Sequence, residues 1–312
     1  MIDRRTLQRL VGVAILGAVG ASLFRDRRVA HLRVRFDLGH RVQRPQSPGE
    51  MRLSVVVPAF HEAERIGETV RRLRKDLHEI DDDGGLEIVV VDDGSSDGTA
   101  TAASAAGADQ VLVLPVNQGK GAAVRAGMLA ARGRTLAFTD ADLSYSPDHL
   151  VELLEQVESG WDVVVGSRRH DDTTTLVRAR RVREIGGRVI NLLTRLVLLG
   201  KYRDTQCGLK AFRSDVAQVI FGHSRIDGFA FDVEVFHLLE LYQLSLAEVP
   251  VRVVNSSRST VHVVPDALRT VRDVFRVRRW SVRGRYDLNP DEVPLVSRST
   301  ANRAGPSADL TA

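Results

Sequence analysis

The chain has 312 residues, 43% of them hydrophobic, enough to bury a full core as one large α/β domain with extensions. Its single cysteine, Cys207, excludes an intrachain disulfide and suits a reducing compartment. The formal net charge is only +4, but arginines crowd residues 4–44, 168–195 and 269–285. They form no stripe with interleaved aromatics, which argues against nucleic acid as a partner and suits anionic phosphates or an anionic membrane surface.

From the amino terminus, the first feature is "LVGVAILGAVGASLF", an uncharged run of 15 residues from Leu10 to Phe24. Arg4, Arg5 and Arg9 precede it, and Arg25, Arg27 and Arg28 follow. It is shorter than the span of about 20 apolar residues that crosses a bilayer. The arginines after it, and the lack of an A-x-A cleavage site, favour an uncleaved anchor or interfacial helix within residues 1–35 over a signal peptide. They also place the rest of the chain on the cytoplasmic side. Residues 36–50, "FDLGHRVQRPQSPGE", read as a linker.

A βα alternation begins at residue 52. "RLSVVVPAF" (52–60) predicts a buried strand, and "EAERIGETVRRLRKDL" (62–77) a helix with Ile66, Val70, Leu73 and Leu77 on one face. Further strands are predicted at 86–93, 110–116, 134–140 and 161–168, separated by helices opening near Ser96–Thr99, over 119–132 and over 146–159. Near-continuous valine strands joined by helices predict a parallel sheet covered on both faces. Beyond Arg168, an arginine-rich loop leads to a helix over 186–200, the glycine turn "RDTQCGLKAF" (203–212), a helix over 231–243 and a strand at 246–254. The basic stretch Pro265–Trp280 reads as an amphipathic helix, either packed on the sheet or docked at a membrane interface beside a lipid. From Gly284 the composition is that of a disordered tail, so the domain is bounded at 51–283 and 284–312 is set apart.

In an open parallel sheet, ligands bind beyond the carboxyl ends of the strands. The unusual residues fall there: Pro58-Ala59, Asp92-Asp93, Asp140-Ala141-Asp142 and Gly166-Ser167-Arg168. Any one aspartate could be a helix cap or turn residue; four clusters on one predicted edge indicate a site. No Gly-x-Gly-x-x-Gly follows the first strand, and "NQGKGAAVRAG" lacks the spacing and Ser/Thr of a P-loop, which disfavours dinucleotide and P-loop enzymes. Two carboxylates two residues apart, with no cation adjacent in sequence, form a hard oxygen site suited to Mg²⁺ or Mn²⁺ with phosphate and water completing the sphere. Such an ion would neutralise a departing diphosphate.

The blocks "VVVPAFHEAERI", "EIVVVDDGSSDGT", "NQGKGAAVRAGMLAARG", "TDADLSYSP" and "VVVGSRRH", in that order, resemble family 2 glycosyltransferases of the GT-A fold. The later "RDTQCGLKAF", "GFAFDVEV" and "EVPVRV" resemble the dolichyl- and polyprenyl-phosphate sugar synthases. Within that group, the Asp-Thr-Gln-Cys-Gly run is most similar to the dolichyl-phosphate β-glucosyltransferase branch. The resemblance implies a Rossmann-like, mixed and mainly parallel sheet with helices on both faces, plus the N-terminal apolar helix and the C-terminal amphipathic helix. It also implies a nucleotide-sugar donor (UDP-glucose favoured, GDP-mannose behind it), a polyprenyl or dolichyl phosphate acceptor, and Mg²⁺ or Mn²⁺. By position, Pro58, Ala59, Glu62, Val91, Asp93, Lys120, Asp140 and Ala141 would hold the nucleotide sugar, with Val91 against the base. Asp140, Asp142 and Ser144 would hold the metal.

A lipid phosphate is already an anionic nucleophile, so the enzyme needs cations to place it and no dedicated base. Arg168 closes the fifth strand, and Arg183 matches the arginine of an acceptor-loop Arg-x7-Asn pattern ending at Asn191. With Asp142 they are the expected catalytic residues, and attack opposite the nucleotide would invert the sugar. The sequence departs from the family at His61, usually asparagine, and at "LSYSP" after the metal motif; both bear on the donor. Cys207 is expected to be a packing residue. A non-catalytic nucleotide-sugar-binding protein is the rival from another class.

Overall fold

The computed structural model describes residues 45–168, 207–252 and 263–293, together with Leu295. The expected N-terminal helix, the arginine-rich loop with Arg183, and the helix over 186–200 lie outside these residues. Among the described residues, no helix is long and apolar enough to cross a membrane.

Strand β1 (Met51–Ala59) is the axis of the sheet. Its side chains alternate between two cores, Leu53, Val55 and Val57 on one face and Val56 on the other, all of them fully buried. On one side it pairs in parallel with β2 (Leu86–Asp92), which pairs with β3 (Gln110–Val113). On the other side it pairs in parallel with β4 (Gly133–Phe138). Chain direction of travel reverses between β1 and β4, and this switch point is where an open α/β sheet leaves a crevice. The full order is β3-β2-β1-β4-β6-β5-β7, with β5 at Val163–Ser167, β6 at Lys210–Arg213 and β7 at Leu246–Pro250.

Strand β6 corrects the sequence reading. The sequence places residues 210–212 in a glycine turn, yet they form an antiparallel strand between β4 and β5, with Ala211 opposite both Ala137 and Val164. Four residues are too few to show a period, and their burial on both faces removes any polar alternation.

Helices α1 (Ile66–Asp76), α2 (His78–Asp82), α3 (Thr99–Ala105) and α5 (Asp148–Glu158) flank the chain's first half. Helices α4 (Lys120–Ala130), α6 (Ser214–His223) and α7 (Phe231–Leu241) cover the opposite face from α1 and α5. The basic helix α8 (Val263–Val282) buries Val274 and Val277 in that second core while Arg269, Arg272, Arg276 and Arg279 stay exposed, so its central apolar residues pack on the protein.

Both margins are more ordered than composition indicates. At the linker's end, Pro45 and Pro48 carbonyls accept hydrogen bonds from Arg213 and Ser214. Past Gly284, where a tail was expected, Tyr286 is 1% exposed and its hydroxyl donates to Glu234 at 2.6 Å. One aromatic anchor with a buried carboxylate partner outweighs the polar residues around it.

Helix α4 lies unusually close to the sheet because it carries little side chain. A Cβ at Gly127 would fall 2.3 Å from Val56 Cγ1 and 2.9 Å from Val91 Cγ2. Gly127→Ala is therefore expected to destabilise the protein by about 1–3 kcal/mol through overpacking. That exceeds the roughly 1 kcal/mol alanine gains over glycine in a helix. Urea denaturation measures it, and a midpoint at or above the parent's would mean that the layer has room for a methyl group.

Candidate active site

The crevice is built by loops leaving β1, β2 and β4. The β1 loop is laced to the β2 loop by backbone donors: His61 N–H donates to Ser95 Oγ, Glu62 N–H to Thr99 Oγ1 and Ala63 N–H to Asp97 Oδ2. These side chains satisfy amides at the approach to a helix start that has no intrahelical partners for them. His61 has φ 55°, a left-handed conformation that asparagine and histidine tolerate better than most residues. Its ring stacks on exposed Phe60 with centroids 4.1 Å apart.

Strand β2 ends in two aspartates with different tasks. Asp92 Oδ1 accepts from Ser95 N–H and closes a local turn. Asp93 is 3% exposed, and its two oxygens accept from the N–H groups of Gln118 and Gly119, each at 2.8 Å. Asp93 thereby fixes the start of α4. Val91 is fully buried in the core beneath α4.

The β4 exit carries Asp140 and Asp142. Leu143 N–H donates to the Asp140 carbonyl across a tight turn, and Leu143 takes φ 46°, a costly conformation for a branched side chain. Ala141 is buried, with its carbonyl accepting from Thr69 Oγ1 at 2.6 Å. Asp142 Oδ1 accepts from both the N–H and the hydroxyl of Ser144, so Ser144 orients this carboxylate. Asp140 Oδ1 accepts from Lys120 Nζ at 2.5 Å. Residues far apart in sequence thus meet at the switch point.

Electrostatics tie these groups together. Burial works against charge on Lys120, but Asp140, Asp232 and Asp142 outweigh it and hold its pKa above the usual lysine value. Burial pushes the Glu62 carboxyl up against the pull of Arg65, and nearby Asp142 and Asp97 push it further. Glu62 therefore belongs to the same field as the β4 carboxylates. Pro58 and Ala59 end β1 beside them, and Ala59 O accepts from Asp93 N–H. Arg168 is exposed just past β5, close enough to act electrostatically on the buried Tyr145 hydroxyl, whose pKa burial raises well above its usual range. Cys207 is fully buried against Gly166 and Tyr145, as a packing residue should be.

Sequence reasoning does not single out three residues that the fold brings close to these groups: Gly208, Lys210 and Asp232. A Cβ on Gly208 would fall 2.1 Å from Asp140 Oδ2, so only glycine admits the carboxylate there. Lys210 is fully buried and pairs with Asp232 at 2.6 Å. The signal was one cation in "GLKAF" and one anion in "GFAFDV", each isolated among apolar residues. Among the described residues, no three His, Cys, Asp or Glu side chains form a metal cage. The two carboxylates at 140 and 142 fit a hard divalent ion that takes its other ligands from phosphate and water.

The sequence profile of Glycosyl transferase family 2 matches residues 54–221. The chain belongs to this family. The glycosyltransferase is 34% identical over 242 residues to the dolichyl-phosphate beta-glucosyltransferase of Drosophila melanogaster, covering 73% of this chain and 74% of that protein. To the Homo sapiens protein of the same name it is 31% identical over 220 residues, covering 64% and 66%. Among solved structures, glucosyl-3-phosphoglycerate synthase from Mycobacterium tuberculosis, in complex with Mn²⁺, UDP and glucosyl-3-phosphoglycerate, matches with a TM-score of 0.56 at 23% identity. It covers 73% of this chain and 80% of that one. Mannosyl-3-phosphoglycerate synthase from Rubrobacter xylanophilus matches with a TM-score of 0.56 at 23% identity, covering 77% and 78%. The mixed sheet of this glycosyltransferase is that of the GT-A fold.

Gly208→Ala tests the geometry directly. Displacing the Asp140 carboxylate by about an ångström is expected to cut sugar transfer by about 10²-fold, with the far-ultraviolet circular dichroism spectrum unchanged. Parent-like turnover would remove Asp140 from the reacting centre.

Proposed function

We propose that this glycosyltransferase moves a hexose from a nucleotide sugar to polyprenyl or dolichyl phosphate at a membrane surface. Glucose from UDP-glucose is the favoured donor group, and the product is a β-linked lipid phosphate sugar. The observation that carries this reading is the Asp140-x-Asp142 turn at the switch point, facing Lys120. It occurs in a chain whose relatives from fly and human are named dolichyl-phosphate beta-glucosyltransferases.

Asp140 and Asp142 would hold Mg²⁺ or Mn²⁺, which when bound neutralises the departing diphosphate. The protein's own share is placement. Lys120 and the β1 loop line the donor side of the crevice, with Glu62 beside the carboxylates. Arg168 offers its planar fork of donors to the acceptor phosphate. Arg183, known from sequence alone, would add a second. The carboxylates of the crevice are engaged: Asp93 by amides, Asp140 by Lys120, Asp142 by Ser144 and Glu62 by Arg65. An acceptor that arrives as an anion requires no proton removed, which suits a site whose carboxylates are occupied. The short N-terminal apolar run with its arginines supports membrane association, with the catalytic domain facing the cytoplasm.

The test uses purified full-length protein, polyprenyl phosphate, Mg²⁺ or Mn²⁺, and labelled UDP-glucose and GDP-mannose in parallel. Label entering organic-extractable lipid from UDP-glucose and lost with EDTA is expected. Label only from GDP-mannose would replace the donor, and label reaching only soluble products would replace the acceptor. Asp142→Asn should lower transfer by at least about 10²-fold with the fold retained. Arg183→Ala should raise KM for the lipid phosphate about tenfold, leaving KM for the donor near the parent value; the reverse pattern would put Arg183 on the nucleotide.

A further inference from the structure

Lys210 and Asp232 have no part in the chemistry above, yet both are buried charges. Lys210 is fully buried; its ammonium donates to Asp232 Oδ1 and to the Cys207 carbonyl, both at 2.6 Å, and lies over the rings of Phe138 and Phe236. A buried ion pair is seldom more stable than well-packed apolar residues of the same size. Its position indicates a use. A Cβ on Gly121 would fall 2.7 Å from Phe231 Cβ, so the residues next to Lys120 and Asp232 abut, and Asp232 attracts Lys120 as well as Lys210. Exposure falls along the series Asp140, Lys120, Asp232, Lys210, so the charges alternate inward from the crevice.

The backbone beneath Lys120 is fixed. Asp93 holds the amides of Gln118 and Gly119, and Ala122 N–H donates to Asp227 O. A Cβ on Gly119 or Gly121 would collide with the carbonyl oxygens of Asp227 or Ile226, at 2.6 and 2.4 Å. The Lys120 side chain itself is a compact charge on a flexible four-carbon stem. A divalent ion at Asp140 would meet strong repulsion from an ammonium on the same carboxylate.

We propose that Lys120 is the resident counter-ion of the metal-free site, and that buried Asp232 is the second berth to which its charge withdraws when a divalent cation takes Asp140. Lys120 then competes with the metal, and Asp232, held by Lys210, is a positioning residue. The inference rests on the reading of Asp140 and Asp142 as a metal site, and it makes a counterintuitive claim: deleting a cation from the site improves metal binding.

Mn²⁺ binding to nucleotide-free, full-length protein, followed by electron paramagnetic resonance, tests it. Lys120→Met is expected to bind Mn²⁺ about tenfold more tightly than the parent, and Lys120→Arg to stay near the parent. Asp232→Asn alone strands Lys210 and risks unfolding, so the berth is tested with Asp232→Asn/Lys210→Met, which removes the pair together; it should bind Mn²⁺ several-fold more weakly. Equal or weaker binding by Lys120→Met overturns the proposal, as does failure of both parent and Lys120→Met to bind at millimolar Mn²⁺, since removing Lys120 would then open nothing. Unchanged affinity in the paired variant removes Asp232 as the berth. Failure of the metal-site reading itself looks different: no Mn²⁺ binding even with saturating UDP, and no change on Asp142→Asn.

Discussion

Asp93 grips the start of α4 with both carboxylate oxygens, and the geometry of the site follows from that grip. The first amides of a helix have no partners within it, and its positive end favours an anion. Here the anion comes from the neighbouring strand, so β2 and α4 are locked at one point and Lys120 is delivered to Asp140. A second support arrives from the far end of the chain. Tyr286 donates to Glu234, and Glu234 accepts from the amides of Arg225 and Ile226. This fixes the segment whose Asp227 carbonyl and carboxylate meet Ala122 and Arg125 of α4.

The two ends of the central strands use carboxylates in opposite ways. At the amino end, Glu87 is fully buried and accepts from Ser54, Gln110, and the backbone and side chain of Arg132. Burial works to raise its pKa, but the combined hydrogen bonds from Arg132, Ser54 and Gln110 win and lower it. Its contribution to stability is therefore present above the unfolded-state pKa and lost as pH falls through the depressed folded value. That end is closed. At the carboxyl end, Asp140 and Asp142 are partly exposed and held by a lysine and a serine that could yield to a ligand.

What was legible in the sequence was local. Valine runs gave β1, β2 and β5, and an aspartate pair at a strand end gave the β4 site. The strand at 210–213 was not legible because its partners β4 and β5 supply both its register and its burial. Helix α6 is illegible for a related reason: it follows β6 directly, with no loop between them. Alternation along β2 turns the Val91 side chain to the core beneath α4. Lys210 and Asp232 lie 22 residues apart on a strand and a helix, and only the tertiary fold reveals them as one pair.

The glycines that let α4 approach the sheet also make it a poor helix by itself. Eleven residues are fewer than an isolated helix needs, and Gly121 and Gly127 each weaken it by roughly 1 kcal/mol relative to alanine. Its stability is borrowed from β1, β2 and the Asp93 clamp, none of which exists before the sheet has condensed. In the order of assembly, then, the crevice beyond β1, β2 and β4 is completed late. A chain caught part-way through folding lacks a placed Lys120, and its Asp140 carboxylate is left without that partner.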